Sequence, residues 1–122
     1  MYVYQFYFRI IISCLNSIVF YSVYLLTNIN HTVIYTGMTN DLVQLVFDHK
    51  VKRNPGFTAK YNCSKLVYYE EFNNPRDAIH REKQMKKYSR EWKHNLINKI
   101  NPEWKDLSES WYDPKEFQKY IR

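Results

Sequence analysis

A chain of 122 residues suits one domain and leaves little room for two. Two glycines are too few for a glycine-rich nucleotide loop, and two cysteines, Cys14 and Cys63, make neither a disulfide framework nor a four-ligand zinc site. The net charge of +6 favours an anionic partner, nucleic acid before anionic lipid, and the sparse cysteines point to a reducing cytoplasm.

The stretch from Ile10 to Leu26 is apolar except for Ser13, Asn16, Ser17 and Ser22. Three readings stand for residues 1–20: an upstream extension, an extra helix packed on the domain, or a membrane anchor. Only Arg9 supplies a basic flank and no A-x-A cleavage site follows, so a membrane partner is not the expected one. No Met lies between Met1 and Met38; a shorter product would need another start codon, and the intact mass of the native protein tests this.

Tyr21–Thr27 is rich in β-formers, Asn28-Ile29-Asn30-His31 reads as a turn, and Thr32–Thr36 is a second strand closing a hairpin. Gly37 ends that strand, where a sharp turn or a close backbone approach is allowed. Thr39 or Asn40 caps a helix with Leu42, Leu45, Val46 and His49 on one face. Asn54-Pro55-Gly56 is a loop, and Lys65–Phe72 is a third strand. Asn74-Pro75 opens a helix with Ala78, Ile79, Glu82 and Met85 along one side. Ser89 caps Arg90–Ile100, whose buried stripe is Trp92, Leu96, Ile97 and Ile100; Asn101-Pro102 ends it. Trp104 and Trp111 are available to pack the C-terminal tail on the body. The order ββαβαα predicts a small α+β domain with a three-stranded antiparallel sheet flanked by helices.

Tyr24 and Tyr35 lie 11 residues apart on the two arms of the hairpin, where a turn sets them on one face. Paired strand tyrosines are usually packing residues. His49, 14 residues after Tyr35, is either a filler or a proton-transfer group. Glu82 either pairs with Lys86 one turn later or serves as a hard oxygen ligand for Mg2+. From Arg76 to Lys93, seven basic residues stand against three acidic ones, with Tyr88 and Trp92 interleaved. Arg81, Lys83, Lys86, Lys87 and Arg90 are the candidate nucleic-acid contacts; a solvated helix face is the competing explanation.

In this order the residues resemble the GIY-YIG endonuclease family. The similarity is to its small stand-alone bacterial branch, akin to the incision domain of nucleotide excision repair. Ser22-Val23-Tyr24 stands for the first triplet and Tyr35-Thr36-Gly37 for the second. Thr39-Asn40-Asp41-Leu42, His49-Lys50, Phe57–Asn62, Lys65–Glu70, Arg81–Gln84 and Asn101–Leu107 continue the series. The resemblance covers residues 21–107, leaving an N-terminal extension, 1–20, and a C-terminal tail, 108–122. It implies hydrolysis of DNA phosphodiester bonds with one Mg2+ or Mn2+ ion, and no small-molecule cofactor. Tyr24 or Tyr35 would be the base or its partner, His49 would assist proton transfer, and Glu82 would hold the ion.

The family arginine, eight residues after the glycine of the second triplet, falls on Leu45, with Gln44 before it. Two expectations follow. One is an endonuclease impaired by the loss of that donor, with Lys50, Lys52 or Arg53 reaching back to replace it. The other is a catalytically inactive nucleic-acid-binding module on the same fold.

Overall fold

The computed structural model describes residues 19–53 and 55–120. The stretch before residue 19, including Cys14, lies outside them, and with it the three readings of the extension. Among the described residues no helix is long and apolar enough to cross a membrane.

Strands β1 (Tyr21–Thr27), β2 (Ile34–Thr39) and β3 (Lys65–Phe72) form one antiparallel sheet in the order β2-β1-β3. The central strand is covered on both faces, which explains its unbroken run of buried residues from Ser22 to Thr27. Val23 and Leu25 face Val67, Tyr68, Ala78, Met85, Ile97 and Trp104. Tyr24 and Leu26 face Val46, Cys63 and Leu66 on the other side. The α+β fold with three antiparallel strands is thus the one the order of elements predicts.

β2 is shifted from the expected Thr32–Thr36, and the cause is the Asn28 side chain. Its Oδ1 accepts from the amides of Thr32 at 2.8 Å and Val33 at 3.1 Å, so these are held in the turn and pairing starts at Ile34. Gly37 does not end the strand; it sits inside β2, opposite Tyr24.

Helix α1 (Leu42–Lys50) is capped by Asp41, not by Thr39 or Asn40. Asp41 Oδ1 accepts from Gln44 N at 3.2 Å, while Thr39 Oγ1 accepts from Asp41 N at 3.0 Å and fixes the approach. A four-residue helix, α2 (Phe57–Lys60), follows Gly56, whose φ of 137° only glycine adopts without strain. Helix α3 (Pro75–Lys87) starts as expected, with Asn74 as cap and Pro75 in the first turn. Helix α4 (Arg90–Ile100) is capped by Ser89, and α5 (Pro114–Gln118) lies in the tail.

The buried stripes of α3 and α4 are narrower than expected. Ala78, Met85 and Ile97 are fully buried, but Ile79, Trp92 and Ile100 are 39%, 61% and 66% exposed. The reason is the sheet's width: three strands cannot cover two helices around their full apolar arcs.

β3 carries a bulge where Val67 has no partner on β1. Its carbonyl accepts from Asn101 Nδ2 at 3.1 Å, which ties the end of α4 to the sheet. Asp106 Oδ1 accepts from Leu66 N at 3.2 Å and from Ser108 Oγ at 2.6 Å, and Oδ2 pairs with Lys50 on α1. Trp104 is buried between the rings of His31 and His94, each 4.8 Å away. Trp111 meets Tyr69, and Phe47 of α1 is surrounded by Tyr112, Phe117 and Tyr120. Much of the chain's high aromatic content is spent here, packing the C-terminal segment onto the body.

Candidate active site

Tyr24 and Gly37 are direct partners in the β1–β2 register, and Leu26 is the partner of Tyr35. Tyr24 and Tyr35 are therefore diagonal neighbours on one face, with ring centroids 6.3 Å apart. A Cβ built on Gly37 would lie 2.3 Å from the Tyr24 hydroxyl. The missing side chain is what lets the Tyr24 ring lie across β2.

His49 arrives from the last turn of α1, its ring 6.3 Å from that of Tyr35. Its Nδ1 is 2.9 Å from Thr58 Oγ1, and Thr58 is buried in α2. Burial lowers the His49 pKa, with Asp48 offsetting part of the effect, so the imidazole is neutral at pH 7. When Nδ1–H donates to Thr58, Nε2 carries a free lone pair.

Glu82 comes from α3, which packs over β1 and β2. Its side chain is only 17% exposed and its Oε1 is 2.6 Å from Lys86 Nζ. The charge of Glu82 is felt at Tyr24, whose pKa is raised by burial first, then by Tyr35 and Glu82. Tyr24 therefore stays a phenol, able to donate. Lys86 is held in its charged form by the hydrogen bond to Glu82 and, more weakly, by Tyr35. Four separate elements, β1, β2, α1 and α3, thus bring Tyr24, Tyr35, His49, Glu82 and Lys86 to one place.

The donor set fits a hard divalent cation. One carboxylate stands beside two phenols, and Mg2+ commonly takes one or two carboxylates with water and phosphate filling the rest of its shell. Among the described residues no group of three or more His, Cys, Asp or Glu side chains forms a closed cage, so Glu82 is the ligand on offer.

Leu45 is partly buried against the apolar cluster that contains Tyr24, and Tyr35 packs against the same cluster. Leu45 faces the site and carries no donor. Lys50 and Arg53 are engaged away from it. Lys50 binds Asp106 and the Ser64 carbonyl, while Arg53 pairs with Asp48 at 2.9 Å and donates to the Tyr120 hydroxyl at 2.7 Å.

The basic segment divides. Arg81 is turned inward, donating to Glu70 at 2.8 Å, Gln84 at 2.7 Å and Tyr88 at 3.1 Å. Burial alone would lower its pKa, but Glu70 and Tyr88 outweigh it and raise the value. Arg90 donates to the His31 carbonyl at 3.1 Å. Lys83, Lys86 and Lys87 are exposed. The pKa of Lys93, which is partly buried, is lowered first by burial and then by the charge of Lys86.

Thr58 and Phe57 escape a reading by residue type, because a four-residue helix has no periodicity to read. The signal present was the stretch Phe57–Asn62, matched by resemblance without a role.

The solution NMR structure of a UPF0213 protein from Bacillus halodurans overlays with a TM-score of 0.47 and 23% identity, over 76% of this chain and 99% of that one. A UPF0213 protein from Clostridium perfringens is 42% identical over 69 residues, 53% of this chain and 70% of that protein. The GIY-YIG catalytic domain profile matches residues 20–98, which takes in the hairpin, α1, β3, α3 and most of α4. With that match spanning well over half of its length, the chain belongs to the GIY-YIG catalytic domain family.

Proposed function

We propose that this protein is an endonuclease that hydrolyses DNA phosphodiester bonds with a divalent ion, at a rate limited by Leu45. The observation that carries this reading is the convergence of Tyr24, Tyr35, His49 and Glu82 from β1, β2, α1 and α3. Neutral His49 is the proton acceptor for the attacking water. Tyr24, kept protonated, donates a hydrogen bond that orients water or phosphate, and Tyr35 lies between the two. The water oxygen bonds to phosphorus as the bond from phosphorus to the sugar oxygen breaks. Mg2+ or Mn2+ held by Glu82 would polarise the phosphate and stabilise the leaving oxygen. Lys86 is the cation beside Tyr35, a point charge reaching the site from α3, whereas the family's planar guanidinium would come from the Leu45 position on α1. Lys83, Lys87 and Lys93 extend the positive face for the flanking phosphates.

The test is nicking of plasmid, branched and single-stranded DNA with Mg2+ or Mn2+, against a Glu82→Gln control. Nicking that needs the metal and disappears in the control supports the reading. Equal traces in both proteins on every substrate would sink it.

One observation favours a second reading, a nucleic-acid-binding module without catalysis. Leu45 is packed into the apolar cluster while Lys50 and Arg53 are tied elsewhere, so α1 offers the phosphate no cation from these positions. Cleavage that appears only in Leu45→Arg, with DNA bound by the unchanged protein, would establish this alternative.

A further inference from the structure

The aromatic rings of the site do not stop at Tyr35. The Phe57 ring at the start of α2 stands 6.0 Å from Tyr35 at an interplanar angle of 31°, and Tyr61 follows 4.7 Å beyond Phe57. Exposure rises from 2% at Tyr24 through half-buried Tyr35 to 49% at Phe57, and Tyr61 beyond it is 40% exposed. The outer end carries a cation, with Lys60 Nζ 5.3 Å from the Tyr61 ring centroid. Both outer rings are left half in water.

An intact duplex has no use for such rings. Its bases are stacked on each other inside, and it presents sugar and charged phosphate outward. An unpaired base has a free π-face, and rings beside a positive charge are how single strands are held without sequence preference. Because Phe57 adjoins Tyr35, a base on it would belong to a nucleotide next to the phosphate at the catalytic residues.

We infer that Phe57 and Tyr61, with Lys60, form a stacking track for unpaired bases, so that the substrate is DNA with a single-stranded segment at the cut. This rests on the nuclease reading for the meaning of "cut", but the track itself is tested by binding without metal.

The experiment measures binding of the full chain to three labelled DNAs of one sequence in EDTA, over a salt series: a single strand, a blunt duplex, and a duplex with a single-stranded flap. The single strand and the flap are expected to bind about tenfold or more tighter than the duplex. Phe57→Ala and Tyr61→Ala should each weaken single-strand binding by roughly 5- to 100-fold, with duplex binding little changed. Phe57→Trp, which keeps a ring, should retain it, and melting curves confirm that each variant is folded. Equal affinity for single strand and duplex, or equal losses on both in the alanine variants, overturns the track. A metal-dependent cut of duplex alongside that result leaves the nuclease reading standing. Failure to bind or cut any of the three DNAs removes both.

Discussion

Gly37 and Tyr24 face each other across β1 and β2 so closely that a methyl group on Gly37 would come within 2.3 Å of the tyrosine hydroxyl. The glycine is required by the ring, not by a turn. Gly37→Ala is expected to destabilise the fold by about 1–3 kcal/mol, the usual cost of overpacking. It should also displace the Tyr24 hydroxyl by enough to cost about 10² in nicking rate. The double variant Gly37→Ala/Tyr24→Ala isolates the clash: measured against Tyr24→Ala, the added methyl should cost little. Denaturant titration of the four proteins checks this, and a full penalty in the Tyr24→Ala background would show that the clash is elsewhere.

If His49 is the proton acceptor proposed above, it is expected to set the acid limb of activity. Burial holds its pKa below the ordinary histidine value of about 6.5, so the base remains neutral further into acid than a free imidazole. The kcat/KM profile should therefore fall only below that value. His49→Ala should lose about 10²–10⁴ in rate and the acid limb with it. Folding follows the same sign. The unfolded chain takes up the proton first as pH drops, so this group's contribution is complete above the unfolded pKa and declines as pH falls through the window below it. An acid limb unaltered in His49→Ala would remove the histidine from proton transfer.

Asp106 joins three parts of the chain and should be the most sensitive single position outside the core. It accepts from Leu66 N at 3.2 Å and from Ser108 N and Oγ at 3.0 and 2.6 Å, while pairing with Lys50. Burial would raise its pKa, but the bonds from Lys50 and Ser108 outweigh burial and lower it. Its stabilisation is thus present above the unfolded carboxylate value and is lost as pH falls through the depressed one. Asp106→Ala is expected to cost on the order of 3 kcal/mol. Thermal melts between acid and neutral pH should show the gap from the parent closing toward the acid end; a constant gap would contradict the linkage.

The fold was legible where local signals and tertiary contacts agree. β3 is built around the β-formers Leu66–Tyr69, and Asn74-Pro75 and Ser89 mark the helix starts because each cap acts within three residues of itself. β2 was misplaced because Asn28 reaches four and five residues forward to hold Thr32 and Val33, a competition that strand propensity does not express. The site followed a similar division. The spacing of Tyr24, Tyr35 and His49 on a hairpin and the next helix is a local matter. The engagement of Arg81 by Glu70, of Lys50 by Asp106, and of His49 by Thr58 joins distant elements, so residue type alone counted these cations as available and gave Thr58 no role.

On the proposed nuclease reading, the place of Leu45 sets the expected rate. It contacts the same cluster as Tyr24 and Tyr35, and a guanidinium there would approach the phosphate from α1, whereas Lys86 approaches from α3. Leu45→Arg should raise metal-dependent nicking by about 10²–10³, the value of one preorganised donor. Lys86→Met should lower the parent's rate by a similar factor, and Leu45→Arg should recover most of that loss in the double variant. Lys86 also holds Glu82 Oε1 at 2.6 Å and so competes with a cation for that carboxylate. Its removal should lower the Mn2+ concentration needed for half-saturation, read by the ion's own resonance signal and independent of turnover. If Lys86→Met alters neither the rate nor the Mn2+ titration, the lysine is a surface partner of Glu82 and the phosphate is met by another group.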